Sequence, residues 1–81
     1  MTRTITLLRT YADRYLAEAD HIAARIDDTL AELADNPNDH DEYVLTYRLK
    51  TLRDEWQRLR DMAARDLATA AIMESKRRVM A

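Results

Sequence analysis

Residues 35–42 read Asp35-Asn36-Pro37-Asn38-Asp39-His40-Asp41-Glu42 and hold the only proline of an 81-residue chain that has no glycine. The stretch divides two segments with helical periodicity, ending at Leu33 and Ala34 on one side and resuming at Tyr43, Val44 and Leu45 on the other. Pro37 disfavours helical geometry at Asn36, and asparagine tolerates the left-handed conformation that ends many helices. Asp39, followed three residues later by Glu42, fits a capping box for the next helix, and Asn36 ahead of Pro37 fits an N-cap as well. Asp41 and Glu42 in that first turn suit the positive end of the helix dipole. The expected organisation is therefore a single domain over residues 1–81, with helices at 4–35 and 40–79 and a turn at 36–39.

Outward from the turn, both arms carry a heptad seam. In the first arm it runs Ile5, Leu8, Ala12, Tyr15, Ala19, Ile22, Ile26, Thr29 and Leu33, alternating steps of three and four. In the second it runs Leu45, Leu49, Leu52, Trp56, Leu59 and Ala63. Strict continuation places Asp66 in the seam. A four-residue step to Leu67, followed by Ala70 and Glu74, places it beside the seam through a stutter, and this is the expected arrangement because a buried carboxylate is costly. Antiparallel packing about the turn pairs residues whose numbers sum to 78: Leu33 with Leu45, Ile26 with Leu52, Ile22 with Trp56, Ala19 with Leu59, Tyr15 with Ala63 and Leu8 with Ala70. Large side chains mostly meet small or medium ones, as interdigitation requires. On the flanks the register sets Glu32 against Arg48 and Arg25 against Glu55. Residues after about Ser75 form an overhang, SKRRVMA, without a partner in the hairpin.

The fold class is thus all-α, two long antiparallel helices in a coiled-coil-like hairpin. One seam between two helices buries little apolar surface for a chain this long. A second apolar row lies beside the first. Leu16, Ala23, Leu30, Met62 and Leu67 are therefore expected to form a dimer face, closing a homodimeric four-helix bundle.

Composition narrows the function. The chain is 47% hydrophobic and 35% charged, which suits long helices. The absence of cysteine excludes disulfides, thiolate metal sites and cysteine nucleophiles. A glycine-rich phosphate loop is impossible and Ser75 is the only serine, so no enzymatic activity and no cofactor are expected. No run reaches the ~18 apolar residues of a membrane span. MTRTITLL has too short an apolar region for a signal peptide, so the expected compartment is cytoplasmic. Glu18 and His21 have the E-x-x-H spacing of ferritin-like metal proteins, but the heptad turns His21 outward and no second E-x-x-H occurs. A metal-binding role is accordingly the least favoured reading, and no metal site is assigned.

Charge is distributed unevenly. From Asp27 to Glu42 there are seven acidic residues and no lysine or arginine; from Tyr43 to Arg65 there are six basic and three acidic. Lys76, Arg77 and Arg78 close the chain near Arg3 and Arg9. A hairpin built this way has an acidic tip and a basic open end. Tyr43, Val44 and Tyr47 fall on the outer face beside that tip, and tyrosine combines apolar area with a polar handle suited to interfaces. The expected function is a protein–protein interaction module (adaptor, regulator or inhibitor). Its contact surface is Asp39, Asp41, Glu42, Tyr43, Val44 and Tyr47, and its partner a protein with a basic surface. The alternative is a small dimeric nucleic-acid-binding regulator using helix-face arginines, although acids interrupt those arginines.

Overall fold

Without glycine, and with its one proline confined to the turn, nothing interrupts either helix from within. In the computed structural model, which describes residues 2–80, α1 spans Thr2–Ala34 and α2 spans Asp39–Met80. There is no strand among the described residues. The pair forms an antiparallel rod of 64 × 14 × 14 Å. Its length is that of α2 alone, since 42 residues at ~1.5 Å each give about 63 Å.

The link between the helices is Asp35–Asn38, one residue earlier than the turn expected at 36–39. At its start Asp35 N–H donates to the Glu32 carbonyl at 3.2 Å, tightening the last turn of α1. Asn36 then takes φ 52°, the left-handed geometry that asparagine tolerates at a helix end. The N-cap of α2 is neither Asp39 nor Asn36 but Asn38. Its Oδ1 accepts the Asp41 N–H at 2.8 Å, and its carbonyl accepts the Glu42 N–H at 2.8 Å. Asn38 is the residue immediately before the first helical position, from which its side chain reaches the third amide of the helix. Asp39, Asp41 and Glu42 occupy the first turn, where the dipole favours them.

The seam of α1 is as its spacing indicates. Ile5, Ala12, Ala19, Ile22 and Thr29 are buried, and Leu8, Tyr15, Ile26 and Leu33 are half-buried. Among the described residues Thr29 is the one buried polar residue, and its hydroxyl donates to the Arg25 carbonyl at 2.8 Å. Satisfied within its own helix, it costs the core little. The central cluster is Ala19, Ile22, Leu52 and Leu59, flanked by Tyr15, Ile26 and Trp56. These are the residues that the sum-78 register brings together. Glu32 and Arg48 lie 3.6 Å apart, whereas Arg25 and Glu55 form no ion pair.

Beyond Ala63 the seam departs from expectation. Asp66 is half-buried, Ala70 buried and Met73 half-buried, while Leu67 is 41% exposed. The alternation of three and four continues through Asp66, with no stutter. The carboxylate is tolerated because Ala12, which faces it across the seam, is small and a two-helix seam is open to water along both edges. The open end also closes further than expected. Because α1 begins at Thr2, Arg77 reaches back to donate to the Thr2 hydroxyl at 2.5 Å. Arg9 pairs with Glu74, which Arg78 also approaches from one turn further along α2. The overhang after Ser75 is helical through Met80; Ala81 lies outside the described residues.

Candidate functional site

Two surfaces remain after the seam is accounted for: the tip, and one flank of the rod. At the tip, the seam positions Leu45 and Leu49 point inward and so turn Tyr43, Val44 and Tyr47 outward on the first two turns of α2. Tyr43 is 72% exposed and Tyr47 66%, with Val44 between them at 39%. The tyrosines are four residues apart and share a stripe, with Val44 adjoining Tyr47 at i, i+3. Asp39, Asp41 and Glu42 are exposed in the turn just before them. All six residues of the sequence-derived surface thus lie on one end of the molecule.

Folding adds residues to this end that the sequence reading left out. Glu32 and Asp35 of the α1 terminus and Pro37 of the link join Asp41, Val44, Leu45 and Arg48 around an open depression of about 380 Å³. Three carboxylates and one guanidinium line it together with the apolar groups of Pro37, Val44 and Leu45. A lysine or arginine side chain laid there would set its alkyl stem on Pro37 and Val44 and its charge among the carboxylates. The signal in sequence was the acidic run itself. The chain reversal sets Glu32 and Asp35 of that run beside Asp41.

The expected dimer face divides. With the heptad unbroken, Leu16, Ala23 and Leu30 form the row following the half-seam of Leu8, Tyr15, Ile22 and Thr29. Leu67 follows Asp66 in the equivalent row of α2. These four lie on one flank, where Arg9 meets Glu74 and where a depression is lined by Ala23, Ile26, Asp27, Arg53, Trp56 and Gln57. Met62 precedes Ala63 and comes to the other flank, beside Asp54, Arg58, Asp61 and Arg65. Leu16 and Ala23 are half-buried, and Leu30 and Leu67 exposed. Trp56 opens onto the same flank, with the Arg60 guanidinium 5.0 Å from its ring centroid.

The remaining candidates are dispersed. Glu18 and His21 are both exposed, and among the described residues no group of three or more histidine, cysteine or acidic side chains is placed to hold a metal ion. Among the described residues no helix is long and apolar enough to cross a membrane. The arginines of α2 alternate with acids, as in the Asp54, Arg58, Asp61, Arg65 group, and make no continuous cationic stripe. Compared with protein-family models, with curated proteins and with solved structures, the chain matches none of them.

Proposed function

We propose that this hairpin is a non-enzymatic protein-interaction module, an adaptor, regulator or inhibitor, that meets its partner through the tip. The observation that supports the reading is the pairing of Tyr43 and Tyr47, both outward and largely exposed, with the acid-walled depression of Glu32, Asp35 and Asp41. Aromatic area next to desolvatable carboxylates favours a partner that presents lysine or arginine with apolar surroundings. The module self-associates as a homodimer through the flank of Leu16, Ala23, Leu30 and Leu67, forming a four-helix bundle.

The test is a quantitative binding measurement with a captured partner, comparing wild type with a Tyr43→Ala/Tyr47→Ala variant of matched helicity. A loss of affinity of about 2 kcal/mol or more is expected. Unchanged affinity removes the tip as the contact. The nucleic-acid alternative predicts RNA or DNA binding that falls steeply with salt. The interleaved acids of α2 argue against it.

A further inference from the structure

A hairpin of 9.5 kDa folded as an ordinary monomer exposes about 5,000 Å². This chain exposes 6266 Å², an excess of about 1,200 Å² over that scale. An ordinary stable interface removes about 800 Å² from each partner, about two thirds of that excess. Leu16, Ala23, Leu30, Leu67 and Trp56 meet on one such flank and give it an apolar stripe.

Its charges are ordered as well as its apolar groups. On the α1 side, the row outside Leu16, Ala23 and Leu30 is Asp13, Asp20 and Asp27. On the α2 side Lys50 stands in the corresponding outer row, and Arg53 and Arg60 share the row of Leu67. In the hairpin register Asp27 is level with Thr51, and Asp20 with Arg58. Asp27 therefore stands at the height of Lys50 and Arg53, lining one depression with Arg53, and Asp20 stands at the height of Arg60, the acids on α1 and the bases on α2.

We propose that a second copy of this chain docks on this flank with both tips at the same end, its two-fold axis running along the bundle, which brings the acidic edge of α1 against the basic edge of the partner's α2. The proposal rests on the self-association proposed above and specifies its orientation. A two-fold along the rod places α1 against the neighbouring α2, so Asp27 meets Lys50 and Arg53 of the partner subunit and Asp20 meets Arg60 of the partner subunit, each contact occurring twice. A two-fold across the rod instead stacks α1 on α1 and α2 on α2. With Leu16 laid over the opposing Leu30, it sets Asp20 beside Asp27 and Arg60 beside Lys50, all like charges. Parallel docking does bring two acidic tips together. Their mutual repulsion acts over more than the ~8 Å screening length at physiological salt, whereas the flank pairs act within it. The flank pairs decide the orientation. The result is a dimer with two tyrosine-bearing tips on one end, presented to a partner together.

Because the chain has no cysteine, a single His40→Cys substitution at an exposed position in the first turn of α2 carries a spin label cleanly. The full chain is weighed by sedimentation equilibrium and the label separation read by pulsed electron paramagnetic resonance. A dimer with labels about 30 Å apart is expected, since bundle neighbours lie roughly 10 Å apart and the labels point outward. Labels about 50 Å or more apart in a dimer, the length of α1, overturn the orientation and leave the bundle standing. A monomeric mass at all concentrations overturns both. Asp20→Lys/Asp27→Lys is expected to weaken self-association by about tenfold or more. Unaltered association of that variant also overturns the parallel arrangement, because the crossed arrangement merely exchanges one like-charge pair for another.

Discussion

Between the turn and Leu59 the seam sets Leu45, Leu49, Leu52 and Leu59 against Ala19, Ile22, Ile26, Thr29 and Leu33, whereas from Ala63 outward Ala63, Asp66, Ala70 and Met73 face Ile5, Leu8, Ala12 and Tyr15. Near the turn, branched aliphatic side chains supply the transfer free energy of folding. Toward the open end, alanines at 0–1% exposure let the helices approach closely, and polar contacts outside the seam, Arg9 with Glu74 and Arg77 with Thr2, take over part of the fastening. The hairpin is strongest beside its turn. Chain reversal makes contacts next to the turn cheap in loop entropy, and the largest buried side chains stand close to it. The far end repays a longer loop with less apolar area and one carboxylate.

The largest loss of stability is expected in the half beside the turn. Leu52→Ala, at a position 3% exposed, should cost about 3 kcal/mol in chemical denaturation. Met73→Ala in the open half should cost about 1 kcal/mol, because its side chain is only partly buried. Equal losses would show that the two halves contribute alike. Asp66→Leu should move the other way, stabilising by about 1.5 kcal/mol as a half-buried carboxylate opposite Ala12 gives way to apolar contact. If Asp66 lay outside the seam, that substitution would leave the midpoint unchanged.

Smaller effects sharpen the picture at the two ends. Asn38→Ala removes the side-chain acceptor of the Asp41 amide and should cost about 1 kcal/mol, whereas Asp39→Ala should cost less, since Asp39 is inside the helix and not its cap. Urea midpoints of the two variants separate these roles. Arg9→Ala should change stability by no more than about 0.5 kcal/mol, because both partners of its ion pair with Glu74 are open to water.

Much of this molecule is legible in its residue order, and the parts that are not share a cause. The helices, the seam through Ala63, the register and the left-handed Asn36 follow from local chemistry: apolar spacing, the single Pro37, and what asparagine permits. The outward stripe of Tyr43 and Tyr47 follows from the same spacing. Three features do not. Asp66 and Leu67 compete for one seam position, and an argument from polarity favours the leucine. Met62 precedes Ala63 and so falls on the flank away from Leu16, Ala23 and Leu30 once the two helices run antiparallel. Glu32, Asp35 and Pro37 join the tip depression only when α1 and α2 are brought side by side.

Periodicity is a property of one helix, and residue order fixes it wherever only one residue type fits the inward direction. It determined the two helices, their antiparallel register and the acidic end at which they turn. Whether a short carboxylate can occupy an inward position depends on the residue across the seam. Ala12 leaves room there and the seam edge admits water, so the tertiary structure decided for Asp66. The N-cap was decided in the same way: Asn38, Asp39 and Asn36 are chemically similar candidates, and only the path of the chain after Pro37 brings Asn38 within reach of the Asp41 amide.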